Sequence, residues 1–247
     1  AGRQITSDSW QKFSSEMTVG FIFGTRPEIT KSIGIARAFH GRTGSAIQAI
    51  ATGQQTDLVR DAFADFDANR FSQINWLSNP ELLGQDPNWS KMFEHSLLVL
   101  RSRLSLTSLV GTGDTQSVML AATFCREHGL GFIHLEAGIR HLSIQGDLEP
   151  EERNRRGISL LADVHCCPTA RQRTQLLSEG HRLETIHVLG DLSTLAIAET
   201  WRSRRLRFST SLDASDMKYG MSSRPFCVCT FHRSTSYIFM DALVDEL

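Results

Sequence analysis

The chain has 247 residues, 40% hydrophobic and 21% charged, with a formal net charge of −1, a composition that excludes whole-chain disorder and any global field recruiting nucleic acid or an anionic membrane. Five cysteines, Cys125, Cys166, Cys167, Cys227 and Cys229, include no C-x-x-C pair and are expected to be reduced core residues rather than a disulfide or metal set. No apolar run is long enough to span a bilayer, and residues 1–16 lack the apolar core of a secretory signal, so a cytoplasmic protein is expected.

Residues 1–16 are taken as an extension ahead of Met17. Val19-Gly20-Phe21-Ile22-Phe23 is a short apolar run of the buried parallel-strand kind. It stops at Gly24-Thr25-Arg26-Pro27-Glu28, where Thr25 and Glu28 have capping-box spacing and Pro27 suits a first helical turn, predicting a helix to about Phe39. Such a helix start attracts anions, and Arg26 and Lys31 would add charge to it. The same residues equally describe a capped helix with two solvated cations.

A strand is predicted over Ser45–Ala51, an amphipathic helix over Gln54–Phe66 and a short strand over Phe71–Ile74. Trp76–Ser90 reads as a loop, either a lid or binding loop or a plain surface excursion, with Trp76 and Trp89 expected to pack it onto the body rather than to stack on a ligand ring. A helix over Lys91–Leu104 and a strand over Leu106–Val110 lead into Gly111-Thr112-Gly113-Asp114-Thr115. Asp114 precedes a helix to about His128, where its ordinary role is an N-cap. After a strand over Gly131–Leu135, Glu136 has no capping role, because Ala137-Gly138 opens no convincing helix. Pro150 starts the next helix, in which Glu151 with Arg155 and Glu152 with Arg156 are i,i+4 pairs. Strands over Val164–Cys167 and Ile186–Leu189, with their helices, continue the alternation to about Trp201.

This βα alternation predicts an α/β fold, a Rossmann-like parallel sheet with helices on both faces, over residues 17–201. Residues 202–224, rich in Arg, Ser and Asp, read as a linker, and residues 225–247 as one β-α unit. Ligands of open α/β sheets bind beyond the carboxyl ends of the strands. Acidic residues at several such ends between Gly111 and Arg155 are therefore expected to converge on one crevice.

Five motifs occur in order: Phe23-Gly24-Thr25-Arg26-Pro27-Glu28 with Lys31, Gly113-Asp114-Thr115, Glu136-Ala137-Gly138-Ile139-Arg140, Pro150-Glu151-Glu152 with Asn154-Arg155, and Phe231-His232-Arg233. In order and approximate spacing they resemble the UDP-N-acetylglucosamine 2-epimerases over roughly residues 17–240. The resemblance implies a fold of the glycosyltransferase-B type with the active site between two Rossmann-like halves, of which the second is incomplete at Leu247. It implies reversible inversion at carbon 2 of a UDP-amino sugar through a 2-acetamidoglucal, or in a variant form hydrolysis to N-acetylmannosamine and UDP. The alternatives are a non-catalytic domain that binds a ligand or partner, and a glycosyltransferase of the same fold. Carried over residue by residue, the functional acids fall on Asp114, Glu136 and Glu151 and the histidine on His232. Arg26, Lys31, Arg140, Arg155 and Arg233 are the cations expected to bind substrate. Nothing implies a metal or nicotinamide, since the Gly-Thr-Arg-Pro turn lacks G-x-G-x-x-G spacing. A homodimer or a partner chain is expected to complete the second domain. The pattern departs from the family at Thr112, where a histidine is usual, at Leu148-Glu149, and at Ser234-Thr235-Ser236 after the last motif.

Overall fold

A computed structural model of the chain describes residues 18–44, 46–65, 74–77, 88–141 and 149–204. The chain divides into two units, residues 1–200 and 201–247, and the sheet and the site residues described below belong to the first. The extension, residues 205–224 of the linker, His232, Arg233 and the last predicted strand and helix lie outside the described residues, while residues 202–204, read as the start of the linker, continue a helix.

In chain order the elements are β1 (Thr18–Phe23), α1 (Arg26–Thr43), β2 (Ala46–Ala51), α2 (Thr56–Asp65), β3 (Ile74–Trp76), α3 (Trp89–Leu104) and β4 (Ser108–Thr112). They continue with α4 (Gln116–His128), β5 (Gly131–Leu135), α5 (Pro150–Leu161), β6 (Val164–Cys167), α6 (Ala170–Ser178), β7 (Ile186–Val188) and α7 (Leu192–Arg204). The seven strands form one sheet in the order β3-β2-β1-β4-β5-β6-β7, and every neighbouring pair is parallel. Strand order therefore reverses between β1 and β4, the place where doubly wound sheets leave a crevice.

Side chains that alternate along each strand feed two cores. On one face Val19, Phe21 and Phe23 pack with Ile29 and Ile33 of α1, Val59 of α2 and Leu192 of α7. On the other, Ile22, Leu109 and Phe132 pack with Phe93 and Leu97 of α3, Val118 and Phe124 of α4 and Ile158 of α5. Helices thus cover both faces, as the alternation predicts. Gly111 lets α4 lie directly on the sheet: a Cβ there would stand 2.7 Å from Val118 Cγ1 and 2.8 Å from Phe132.

Several boundaries differ from the sequence reading, among them β4, which lies two residues later than Leu106–Val110, α3, which starts at Trp89, and α7, which continues to Arg204. Helix α1 runs past Phe39 to Thr43 and ends where Gly44 turns left-handed at φ 66°, the usual C-terminal glycine stop. Trp76 belongs to β3 rather than to a loop, because Ala51 of β2 pairs with it. Cys125, Cys166 and Cys167 are buried free thiols, as expected, and burial pushes each well above the usual range, Cys125 and Cys166 to about 12. No helix among the described residues is long and apolar enough to cross a membrane.

Candidate active site

Register brings the motif residues together. Phe21 of β1 pairs with Val110 of β4, and Thr112 of β4 pairs with Leu135 of β5, so the turns after these three strands emerge side by side. The first carries the start of α1. There Glu28 is 3% exposed; its Oε2 accepts from the Gly24 amide at 2.5 Å and the Thr25 amide at 2.9 Å, and its Oε1 accepts from the Thr115 hydroxyl at 2.6 Å. Ser32, one turn further along α1, hydrogen-bonds Thr112 at 2.5 Å. Burial, the largest cause, pushes the Glu28 carboxyl up to about 7, and the charge of Asp114 adds to it against the three hydrogen bonds.

The second turn is Gly113-Asp114-Thr115. Gly113 adopts φ 79°, its amide donates to the Leu135 carbonyl at 3.1 Å, and its own carbonyl accepts from His134 Nε2 at 2.8 Å. Thr115, not Asp114, is the N-cap of α4, its hydroxyl oxygen accepting from the Val118 amide. The Asp114 side chain is thereby left for another partner, and it pairs with Arg155. Its carbonyl accepts from Asn154 Nδ2 at 2.8 Å. The ordinary capping role open to Asp114 in the sequence is corrected: the residue after it is polar and one step closer to the first helical amides.

The third turn holds Glu136 at φ 62°, a left-handed conformation that among the described non-glycine residues only Ser105 shares. For a non-glycine residue this costs on the order of 1–3 kcal/mol and is characteristic of functional sites. Its Oε2 accepts from Lys31 Nζ at 3.0 Å, and the same oxygen is 3.7 Å from where a Cβ on Gly113 would stand. Two carboxylates, each held by a cation, therefore sit on neighbouring strand ends at the β1/β4 reversal.

The profile of the family described as UDP-N-acetylglucosamine 2-epimerase matches residues 37–239. The chain belongs to that family. Among its relatives are UDP-N-acetylglucosamine 2-epimerases of Campylobacter jejuni, 26% identical over 69% of this chain and 43% of that one, and of Bacillus subtilis, 27% identical over 76% and 48%. The chain spans about half the length of the curated relatives it matches. Its fold is that of the UDP-GlcNAc 2-epimerase of Neisseria meningitidis solved with UDP-GlcNAc, with a TM-score of 0.69 at 22% identity over 83% of this chain and 54% of that one. The Methanocaldococcus jannaschii enzyme in complex with UDP-GlcNAc and UDP matches with a TM-score of 0.62 at 25% identity, over 80% and 54%. These neighbours bear out the α/β fold and the resemblance read from the five motifs.

Within this epimerase-family chain the remaining residues divide in two. Arg155, from α5, reaches Asp114 and, at 3.5 Å, Glu152. The i,i+4 pair expected between Glu151 and Arg155 does not form, because Asp114 draws the guanidinium towards the crevice. The pair between Glu152 and Arg156 does form, at 2.9 Å. Glu151 lies exposed on the first turn of α5, whereas Glu152 is 2% exposed and also accepts from the His141 amide at 2.9 Å. Arg26 is exposed at the start of α1. Arg140 is engaged within the chain: Nε and Nη2 grip Glu179 at 2.9 and 2.6 Å, Nη2 also donates to Ser159, and Nη1 donates to the Ile139 carbonyl.

Glu28, Glu152, Asn154 and His134 are site-forming residues that the sequence reading did not select. The capping-box spacing gave Glu28 a local explanation and so concealed its reach to Thr115. Burial, aided by the charges of His165 and Arg140, pushes His134 down to about 4 against its Gly113 bond, so at neutral pH it is an uncharged donor supporting the β4 turn.

Proposed function

We propose that this chain carries the catalytic carboxylates of a UDP-N-acetylglucosamine 2-epimerase, inverting carbon 2 of a UDP-amino sugar by elimination and re-addition of UDP through a 2-acetamidoglucal. The observation that carries this reading is the placement of Glu136 with Lys31 and Asp114 with Arg155 on adjacent strand ends. In the elimination the C2–H bond breaks and the proton passes to a base. The bond from C1 to the diphosphate oxygen breaks as well, and UDP departs with the electron pair, leaving a C1=C2 double bond. Re-addition returns UDP to C1 and a proton to the opposite face of C2. Since the proton leaves one face and returns to the other, inversion calls for two acid-base groups flanking the ring, and Asp114 and Glu136 supply two. Lys31, Arg155 and the exposed Arg26 bring positive charge to the place where the diphosphate leaves. Glu151, His232 and Arg233 complete the proposed set, with Arg140 supporting the turn after Glu136. The Methanocaldococcus enzyme bound to UDP-GlcNAc and UDP supports the choice of substrate.

Proton NMR of the purified chain with UDP-N-acetylglucosamine in heavy water tests this reading. Deuterium at carbon 2 together with formation of the epimer is the expected result. Release of UDP with free N-acetylmannosamine would identify the hydrolysing form. A folded chain that binds UDP-GlcNAc without exchange would overturn catalysis by this chain and make it a binding domain.

A further inference from the structure

Glu28 takes no part in the proposed chemistry, yet it bridges the two turns that carry it. A capping box asks the Glu28 side chain only for the Thr25 amide, to which the Gly24 amide adds a second local donor. The bond from the Thr115 hydroxyl at 2.6 Å is additional, and it spans 87 residues of sequence. Thr115 is in turn the N-cap of α4 and follows Asp114 directly. The two turns are pressed together: a Cβ on Gly24 would stand 2.5 Å from Ser117 Oγ in the first turn of α4. Of the charged groups, Asp114 bears on Glu28 from the β4 turn, while Arg26 and Lys31 lie on its own helix.

We propose that Glu28 is a positioning residue for Asp114, its ionised carboxylate holding the Thr115 hydroxyl and thereby setting where the neighbouring carboxylate stands. The inference rests on the reading of Asp114 as an acid of the site. Two amides already donate to Oε2, so a proton taken up by Glu28 goes to Oε1 and makes it a donor; the Thr115 hydroxyl then redirects its own hydrogen, and Asp114 loses a like-charged neighbour. Burial pushes the carboxyl up to about 7, so the site would pass from one arrangement to the other near neutrality.

The test uses the full chain with carbon-13 at the aspartate Cγ and glutamate Cδ positions, titrated from about pH 5 to 9, with E28Q and D114N to assign the two signals. The expected result is an inflection in the Asp114 signal at the midpoint of Glu28, absent in E28Q, shrunken by more than about half in T115V and restored in T115S. An Asp114 signal without that inflection overturns the proposal. So does an inflection of full size in T115V, which would show direct charge coupling rather than positioning through Thr115. In the carbon-2 exchange assay E28Q should lose about 10- to 100-fold in kcat with KM within about twofold, together with the acidic limb of the pH profile. If the parent chain exchanges nothing, the catalytic reading fails by itself, and the carbon-13 coupling still decides the role of Glu28.

Discussion

Replacing Glu28 by glutamine should change how the stability of the fold depends on pH. An unfolded chain holds this carboxyl near its ordinary value of 4.5, whereas burial in the folded chain raises it to about 7. Between those two values the folded state binds more protons than the unfolded state, so stability falls as pH rises through the window and levels off above it. At about 1.36 kcal/mol per pH unit the complete effect is roughly 3 kcal/mol, of which about 2.5 kcal/mol develops between pH 5 and pH 8. Glutamine does not titrate, and it retains one oxygen for the Gly24 and Thr25 amides. Its NH2 group can donate to the Thr115 hydroxyl, which is able to accept. Urea denaturation of the parent and E28Q chains across this range, followed by tryptophan fluorescence, cancels every other titrating group in the difference. The difference should move in favour of E28Q by about 2.5 kcal/mol as pH rises from 5 to 8. A difference that is flat within about 0.5 kcal/mol, or one moving the other way, would refute the assignment of a raised carboxyl to this position.

Three further outcomes are expected. R155A removes a guanidinium shared by Asp114 and the buried Glu152 and should cost about 2 kcal/mol in urea denaturation, less than a fully buried pair because Arg156 still holds Glu152; R155K should recover little, since a single ammonium does not reach both acids. G111A places a methyl 2.7 Å from Val118 Cγ1 and 2.8 Å from Phe132, and overpacking of this kind should cost about 1–3 kcal/mol, visible as a lowered Tm. Nitrogen-15 NMR should find His134 neutral, with the proton on Nε2 facing the Gly113 carbonyl, and unresponsive from about pH 6 to 8. A midpoint near the ordinary histidine value would contradict its burial.

Much of the architecture was legible because it is local. Short apolar runs broken by Gly24, by Gly113 and by the Glu136-Ala137-Gly138 turn specify strands that end abruptly, and Thr25 with Glu28 specifies the start of α1. The alternation of such strands with amphipathic helices specifies parallel pairing, and parallel pairing places Asp114 and Glu136 at level strand ends. Strand ends at Gly131, Leu135, Val164 and Cys167 agree to the residue for the same reason, each run being closed by a helix or a turn.

The identity of the partners was not legible. The sequence offers Arg155 two acids on its own helix, Glu151 and Glu152, and only the packing of α5 beside α4 adds Asp114, 41 residues away, as the partner that wins. The same packing buries Glu152 and leaves Glu151 in solvent, although the two are adjacent and chemically alike. Glu28 shows the general reason. By itself the sequence determined that it caps a helix, because that bond lies within one turn; only the tertiary structure decided that it also crosses to Thr115 and loses its water, because burial and long-range hydrogen bonds depend on which turns the sheet sets side by side.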